Sequence, residues 1–288
     1  MHNERTMLWI VCYIQKTKSI TAPYQMIYVM KRALRILILS LIFGCLVWPC
    51  YARKSKKSGN QAVIMELPAI SSSDKILRYS GFTVSYNTSA LIPKWVAYEL
   101  TAEEVDGTIP RAKSFGMDPS YRGRQAMRED YSNSGWDKGH MAPAADMKWS
   151  QQAMYESFYL TNVCPQNHEL NGQDWQTLEK LGRNWAKQYG HVYIVCGPII
   201  DKNRYGTIGE QRVVVPDAFF KAFLIKKGDL YCTIAFIMDN NAQHHRIQDY
   251  ALTVNQLEEK IGLDLFPELD DMIEEMVEDD LYFKHWGL

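Results

Sequence analysis

Along this chain the apolar positions gather in short runs rich in β-branched and aromatic residues, at 81–86, 95–101, 191–200, 218–226 and 230–238. Runs of that length and composition predict strands. The last two are separated by Gly228 and Asp229, a pair that signals a tight hairpin turn. Residues 173–189 follow another pattern: they lack proline, are rich in Gln, Leu, Glu, Lys, Arg and Ala, and stop at Gly190, which predicts a helix ended by a left-handed glycine. Thr253, with Gln256 three residues on, predicts a shorter capped helix running to Ile261. Residues 264–280 predict an acidic amphipathic helix with Leu269, Met272, Ile273 and Met276 on its buried side, and residues 211–215 read as strand. The expected fold class is α+β, with a mainly antiparallel central sheet flanked by helices.

At 288 residues, with 47% apolar and 23% charged, the chain has material for one sizeable core and carries no repeats, which excludes a fibrous or largely disordered protein. The first 52 residues stand apart. Lys31, Arg32 and Arg35 precede an apolar run at 36–47, and Cys50-Tyr51-Ala52 offers a small-x-small cleavage site, the layout of a secretory signal peptide. Such a peptide would start at Met30, making residues 1–29 an upstream extension. Export to a periplasmic or extracellular space is therefore expected, with an uncleaved membrane anchor as the alternative. Residues 53–75 then read as a linker and 76–288 as a single domain ending in the acidic helix. Cys164, Cys196 and Cys232 remain in that domain, where an odd count leaves at least one thiol free, and buried thiols or a disulfide both fit.

Beyond residue 52 there are 26 basic and 32 acidic residues, a net of −6, where a nucleic-acid binder usually presents a basic surface. Nine of those acids fall within 264–280, which holds no lysine or arginine, so the excess is local. Candidate chemistry lies elsewhere. Asn171, Trp175, Glu179 and Arg183 are four apart, so one helix would line them up as a polar stripe. That stripe is either a solvated face with a Glu179–Arg183 ion pair or one wall of a site. Upstream, Asp137-Lys138-Gly139-His140 suits a strand ending in a tight bend that presents a histidine, whose ordinary pKa of about 6.5 suits a general base. His244 and His245 read as exposed loop histidines, and Trp136 and Trp175 as packing residues.

Residues 137–140 resemble the D-R-G-H signature of the DNA/RNA non-specific endonucleases, with Lys138 in place of arginine. The block Asn162-Val163-Cys164-Pro165-Gln166 resembles the same family's N-x-x-P-Q segment, and Asn171, Trp175, Glu179 and Arg183 resemble the asparagine, tryptophan, glutamate and arginine found downstream of it at the same intervals. PRAKSFGMDP at 110–119 resembles its R-x-x-x-F-x-x-D-P segment and nominates Arg111; WVAYELT at 95–101 resembles its first core strand. The similarity spans about residues 80–267. It implies a ββα-metal finger active site and a magnesium-dependent, sugar-non-specific endonuclease of DNA and RNA leaving 5′-phosphate and 3′-hydroxyl ends, with manganese as a substitute ion.

The roles the resemblance implies are those of phosphoryl-transfer chemistry. His140 takes the proton of the attacking water, and Asn171 ligates the ion through its amide oxygen. Glu179 holds waters on that ion, Arg111 and Arg183 grip the phosphate, and Asn162 orients the site. Lys138 is expected to weaken the grip on nucleic acid, because an ammonium lacks the fork of donors that a guanidinium offers. The alternative function is a catalytically silent relative that binds nucleic acid or a protein partner.

Overall fold

The computed structural model describes residues 64–288. The expected signal peptide, its start at Met30, the alternative anchor and residues 53–63 of the expected linker lie outside the described residues. In chain order the strands are β1 (Lys75–Arg78), β2 (Thr83–Asn87), β3 (Ile92–Thr101), β4 (Asp137–His140), β5 (Val163–Gln166), β6 (His191–Ile199), β7 (Thr207–Ile208), β8 (Val213–Val214), β9 (Ala218–Lys227), β10 (Leu230–Asp239) and β11 (Ala251–Leu252). The helices are α1 (Ala102–Val105), α2 (Gln151–Ser157), α3 (His168–Gly172), α4 (Asp174–Tyr189), α5 (Val254–Ile261), α6 (Asp271–Val277) and α7 (Phe283–Trp286).

Seven strands form one antiparallel sheet in the order β1-β2-β3-β6-β9-β10-β11, so the fold is α+β as the strand runs predict. Alternation along each central strand sends side chains to two separate cores. From β9, Phe219, Phe223 and Ile225 face the core shared with α4, while Phe220, Ala222 and Leu224 face the core under α5 and α6. Position 221 belongs to the first face and is a lysine. The hairpin at Gly228 forms with a left-handed φ of 59°, as its residues predict. Thr253 and Gln256 close the predicted capping box of α5.

α4 lies across the first face because its apolar side carries Trp175, Leu178 and Trp185, all buried. Trp185 meets Phe223 edge-on at 4.9 Å and Trp286 at 4.7 Å, and its indole N–H donates to the Trp286 carbonyl at 2.8 Å. Gly182 lets the helix approach closely, since a Cβ there would sit 3.0 Å from the Phe223 ring.

Three expectations change. The helix is interrupted at Gln173, whose φ of −119° and ψ of −87° are not helical, so Asn171 belongs to α3 and Glu179 to α4. The cause is Asp174, drawn into the core by the Tyr250 hydroxyl and His244 Nδ1. Second, Met272 and Met276 are 74% and 59% exposed; the buried side of α6 is formed by Val277, with Leu269 preceding it. Third, the stretch read as a linker is docked from Met65 on: Met65 is buried and the Ala69 N–H donates to the Asp264 carbonyl at 2.9 Å.

β4 and β5 pair as a separate antiparallel hairpin, with Gly139 opposite Cys164 and His140 opposite Val163, and α3 comes directly after it. At Gly139 a Cβ would lie 2.1 Å from Gln166 Oε1 and 2.6 Å from Gln166 Cβ, so the two strands close only because this position is bare. Gly139→Ala is expected to cost about 1–3 kcal/mol as an overpacked site. A thermal melt within a degree of wild type would contradict that packing.

Candidate active site

The β4 alternation turns Lys138 and His140 to one side, where Phe115 meets both. The His140 ring lies 4.9 Å from Phe115 and 4.9 Å from Phe158, edge-on to the latter, and Lys138 Nζ sits 5.9 Å from the Phe115 centroid. His140 is buried, and its Nε2 has no hydrogen-bond partner among the described residues. Burial first, and the Arg111 charge second, push its pKa down to about 3, so the ring is neutral at physiological pH. An unpartnered buried ring nitrogen is costly in a core and useful in a site.

Asn162 holds the bend behind this ring. Its amide oxygen accepts from the Ala142 N–H at 3.0 Å, and its amino group donates to the Ala142 and Ser157 carbonyls at 2.9 and 2.8 Å. It therefore braces backbone, and its amino group is fully committed. The Trp175 indole N–H donates to the His140 carbonyl at 3.4 Å, which ties α4 to the same bend.

Asn171 projects from α3 toward β4. Its Nδ2 donates to Asp137 Oδ2 at 2.9 Å, and His168 Nδ1 meets that same oxygen at 2.9 Å. A carboxylate only accepts, so it is the amino end of Asn171 that faces Asp137, and Oδ1 accepts no hydrogen bond from any described residue. Among the described residues no group of three or more His, Cys, Asp or Glu could hold a metal ion, so a carboxylate or thiolate cage does not fit. A free amide oxygen with carboxylates set further back does fit a small hard cation that keeps most of its waters.

Glu179 is half-buried and forms no hydrogen bond or ion pair with a described residue. Burial pushes its pKa up to about 7; Lys221 is the strongest charge opposing that rise, Asp146 adds to it, and Arg183 and Arg111 oppose it. Arg183 does not pair with Glu179 but with the buried Asp146, Nη1 to Oδ1 at 2.6 Å, and Tyr98 donates to the other carboxylate oxygen at 2.9 Å. The expected i, i+4 ion pair is thus replaced by a long-range one, because Asp146 lies buried against the inward side of α4. Arg111 is exposed, with its guanidinium 5.0 Å over the Phe158 ring and no carboxylate partner among the described residues.

Arg111 thus lies within electrostatic reach of both His140 and Glu179, Arg183 within reach of Glu179, and Asn171 is tied to β4 through Asp137. Asp137, Asp146 and Lys221 were missed as contributors. Asp137 sits inside the motif, so it was within reach of the sequence; Lys221 is signalled only by a lone charge inside an apolar strand. The thiols Cys164, Cys196 and Cys232 are buried and free. Trp136 and Trp175 pack against Tyr205 and Phe219.

The family model for DNA/RNA non-specific endonucleases matches residues 60–272. The mitochondrial nuclease EXOG of Mus musculus is 31% identical over 236 residues, covering 76% of this chain and 64% of that protein. Human mitochondrial endonuclease G is 32% identical over 189 residues, covering 61% of this chain and 64% of its own length. The chain therefore spans somewhat under two thirds of either relative. A crystal structure of the EndoG/EndoGI complex, described as giving the mechanism of EndoG inhibition, superposes with a TM-score of 0.65 at 29% identity, covering 71% of this chain and 89% of that one. The relatives' names assign those proteins to mitochondria, which overturns the expectation of an exported protein built on residues 1–52. On the strength of the match over residues 60–272, the chain belongs to the DNA/RNA non-specific endonuclease family.

Proposed function

We propose that this chain is a magnesium-dependent endonuclease that hydrolyses DNA and RNA with little regard to the sugar, leaving 5′-phosphate and 3′-hydroxyl ends. The observation that carries the reading is the buried, neutral His140 ring, packed against the same Phe158 that the exposed guanidinium of Arg111 covers. His140 accepts the proton of the attacking water on its imidazole, which packs against the Phe115 and Phe158 rings. Arg111 takes the phosphate oxygens, where a fork of donors offsets the added negative charge. A magnesium ion held here would offset the negative charge that develops during cleavage.

Asn171 would present Oδ1 to the ion, because Asp137 holds the other end of its amide. Glu179 would accept hydrogen bonds from waters on such an ion and so help to hold it. Arg183, tied to Asp146, contributes charge toward Glu179 rather than a free grip on substrate. Lys138 lies at 5.3 Å from the Tyr131 ring and gives a phosphate a single ammonium contact. The likeness to endonuclease G, solved in complex with EndoGI, also supports recognition by an inhibitor protein.

The test is loss of supercoiled plasmid with magnesium, with manganese and with chelator. Metal-dependent loss is expected; intact plasmid with every divalent ion, alongside retained DNA binding, would leave the silent binding relative. The pH profile has a stated direction. His140 stays neutral down to about 3, so the acid limb belongs to Glu179, whose ionised form is lost as pH falls through about 7. Below that limb kcat/KM is expected to fall about tenfold per pH unit.

A further inference from the structure

Two loops beside the β4–β5 hairpin, residues 121–131 and 201–214, are bolted into one surface. Arg124 donates to the Gln211 carbonyl and, through Nε at 3.3 Å, to the Gln211 side-chain oxygen, while Asp130 Oδ1 accepts from the Gln211 N–H at 3.0 Å. Asp130 Oδ2 accepts from the Met127 N–H at 2.7 Å. The buried Asp217 accepts from the backbone N–H groups of Asp201, Lys202, Asn203 and Arg204 at 2.7–2.9 Å and so fixes the second loop. Both buried carboxylates are thus occupied by backbone donors. Of the loops' cations, Arg204 alone reaches one of them, at 3.6 Å from Asp217.

Exposed on these loops are six cations, Arg122, Arg124, Arg128, Lys202, Arg204 and Arg212, against three acids, Glu129, Asp201 and Glu210. Arg122, Arg128, Lys202 and Arg212 form no ion pair with a described residue. The surface adjoins the active-site strand at two points: Lys138 of β4 lies 5.3 Å from the Tyr131 ring, and Trp136, next in the chain to Asp137, meets Tyr205 at 5.0 Å. Tyr131, Ile208 and Val213 root both loops in the core on the α4 face, whereas α6, within the acid-rich stretch 264–280, packs in the core on the opposite face. Unpaired cations repel one another, so a set of them kept together on one side of an otherwise acidic chain matches a polyanion that neutralises them.

We propose that residues 121–131 and 201–214 form the surface on which the polynucleotide flanking the scissile bond lies, with Arg122, Arg128 and Arg212 contacting its backbone phosphates. The inference rests on the nuclease reading for the identity of that polyanion and extends it to where the uncleaved part of the substrate is held. Contacts of this kind position a nucleic acid without reading its bases.

The test measures equilibrium binding of a fluorescently labelled DNA duplex in chelator over a series of salt concentrations, so that no cleavage intervenes. A variant carrying Arg122→Gln, Arg128→Gln and Arg212→Gln is expected to bind about tenfold or more weakly at low salt. Its slope of log affinity against log salt is expected to flatten by about two to three, close to one for each phosphate contact removed. Arg122→Lys, Arg128→Lys and Arg212→Lys together should keep most of the wild-type slope. A charge-matched control carries Lys227→Gln at the C-terminal end of α4, where Lys227 donates to the Gln188 carbonyl, with Lys260→Gln on α5 and Lys284→Gln on α7; it should keep the slope unchanged. A folded triple-glutamine variant with the wild-type slope, or a control that flattens it equally, would overturn the proposal while leaving the nuclease reading intact. The nuclease reading fails separately, if wild type cleaves plasmid with no divalent ion; a flattened slope in the arginine variant would then assign the same surface to the silent binding relative.

Discussion

His140→Ala is expected to lower kcat/KM on plasmid DNA by about a thousandfold, within the range for removal of a general base. The reason is positional as well as chemical. His140 ends β4, where pairing with Val163, the Asn162 brace on Ala142 and the Trp175 contact to its carbonyl all fix the backbone. The Phe115 and Phe158 rings pack against the imidazole on two sides. Because the ring is neutral down to about pH 3, alanine removes a proton acceptor and no charge. The fold should survive, since the lost ring carried an unpartnered nitrogen whose burial was itself unfavourable. The measurement is initial cleavage rate at saturating magnesium beside a thermal melt. A folded variant within tenfold of wild type would remove His140 from the chemistry.

The second large effect concerns Asn171. Asn171→Ala is expected to lower activity more than about a hundredfold and to raise the magnesium concentration needed for half-activity, because it deletes the amide oxygen given to the ion. Asp137→Ala leaves that oxygen in place and removes only what aims it, so a smaller loss of about 10–100-fold is expected. Asn171→Asp separates the two contributions: it keeps an oxygen donor but sets a second carboxylate against Asp137 Oδ2, where the amide nitrogen now donates at 2.9 Å. Activity between that of wild type and Asn171→Ala is the expected outcome. Magnesium titrations of cleavage and of the melting temperature check both. Equal losses in Asn171→Ala and Asp137→Ala, with unchanged magnesium dependence, would remove Asn171 as the ligand.

Much of this was legible in the chain itself. Apolar alternation, the Gly228-Asp229 turn, the Thr253 cap and the proline-free stretch ending at Gly190 are short-range signals, and they determined which segments became strands and helices. The order and spacing of Asp137 to His140, Asn162 and Asn171 to Arg183 determined the family. Those signals depend on residues a turn or a hairpin apart. The tertiary structure decided everything that depends on neighbours distant in sequence. It broke the expected helix at Gln173, because Asp174 finds Tyr250 and His244 across the fold. It gave Arg183 to Asp146 in place of Glu179, and left Met272 and Met276 exposed where periodicity alone would bury them. It also brought Lys221 beneath Trp175 and within reach of Glu179. Periodicity states which side of an element is apolar, whereas the charge state of a buried group depends on what the opposite layer places against it, and that is decided only when the layers pack.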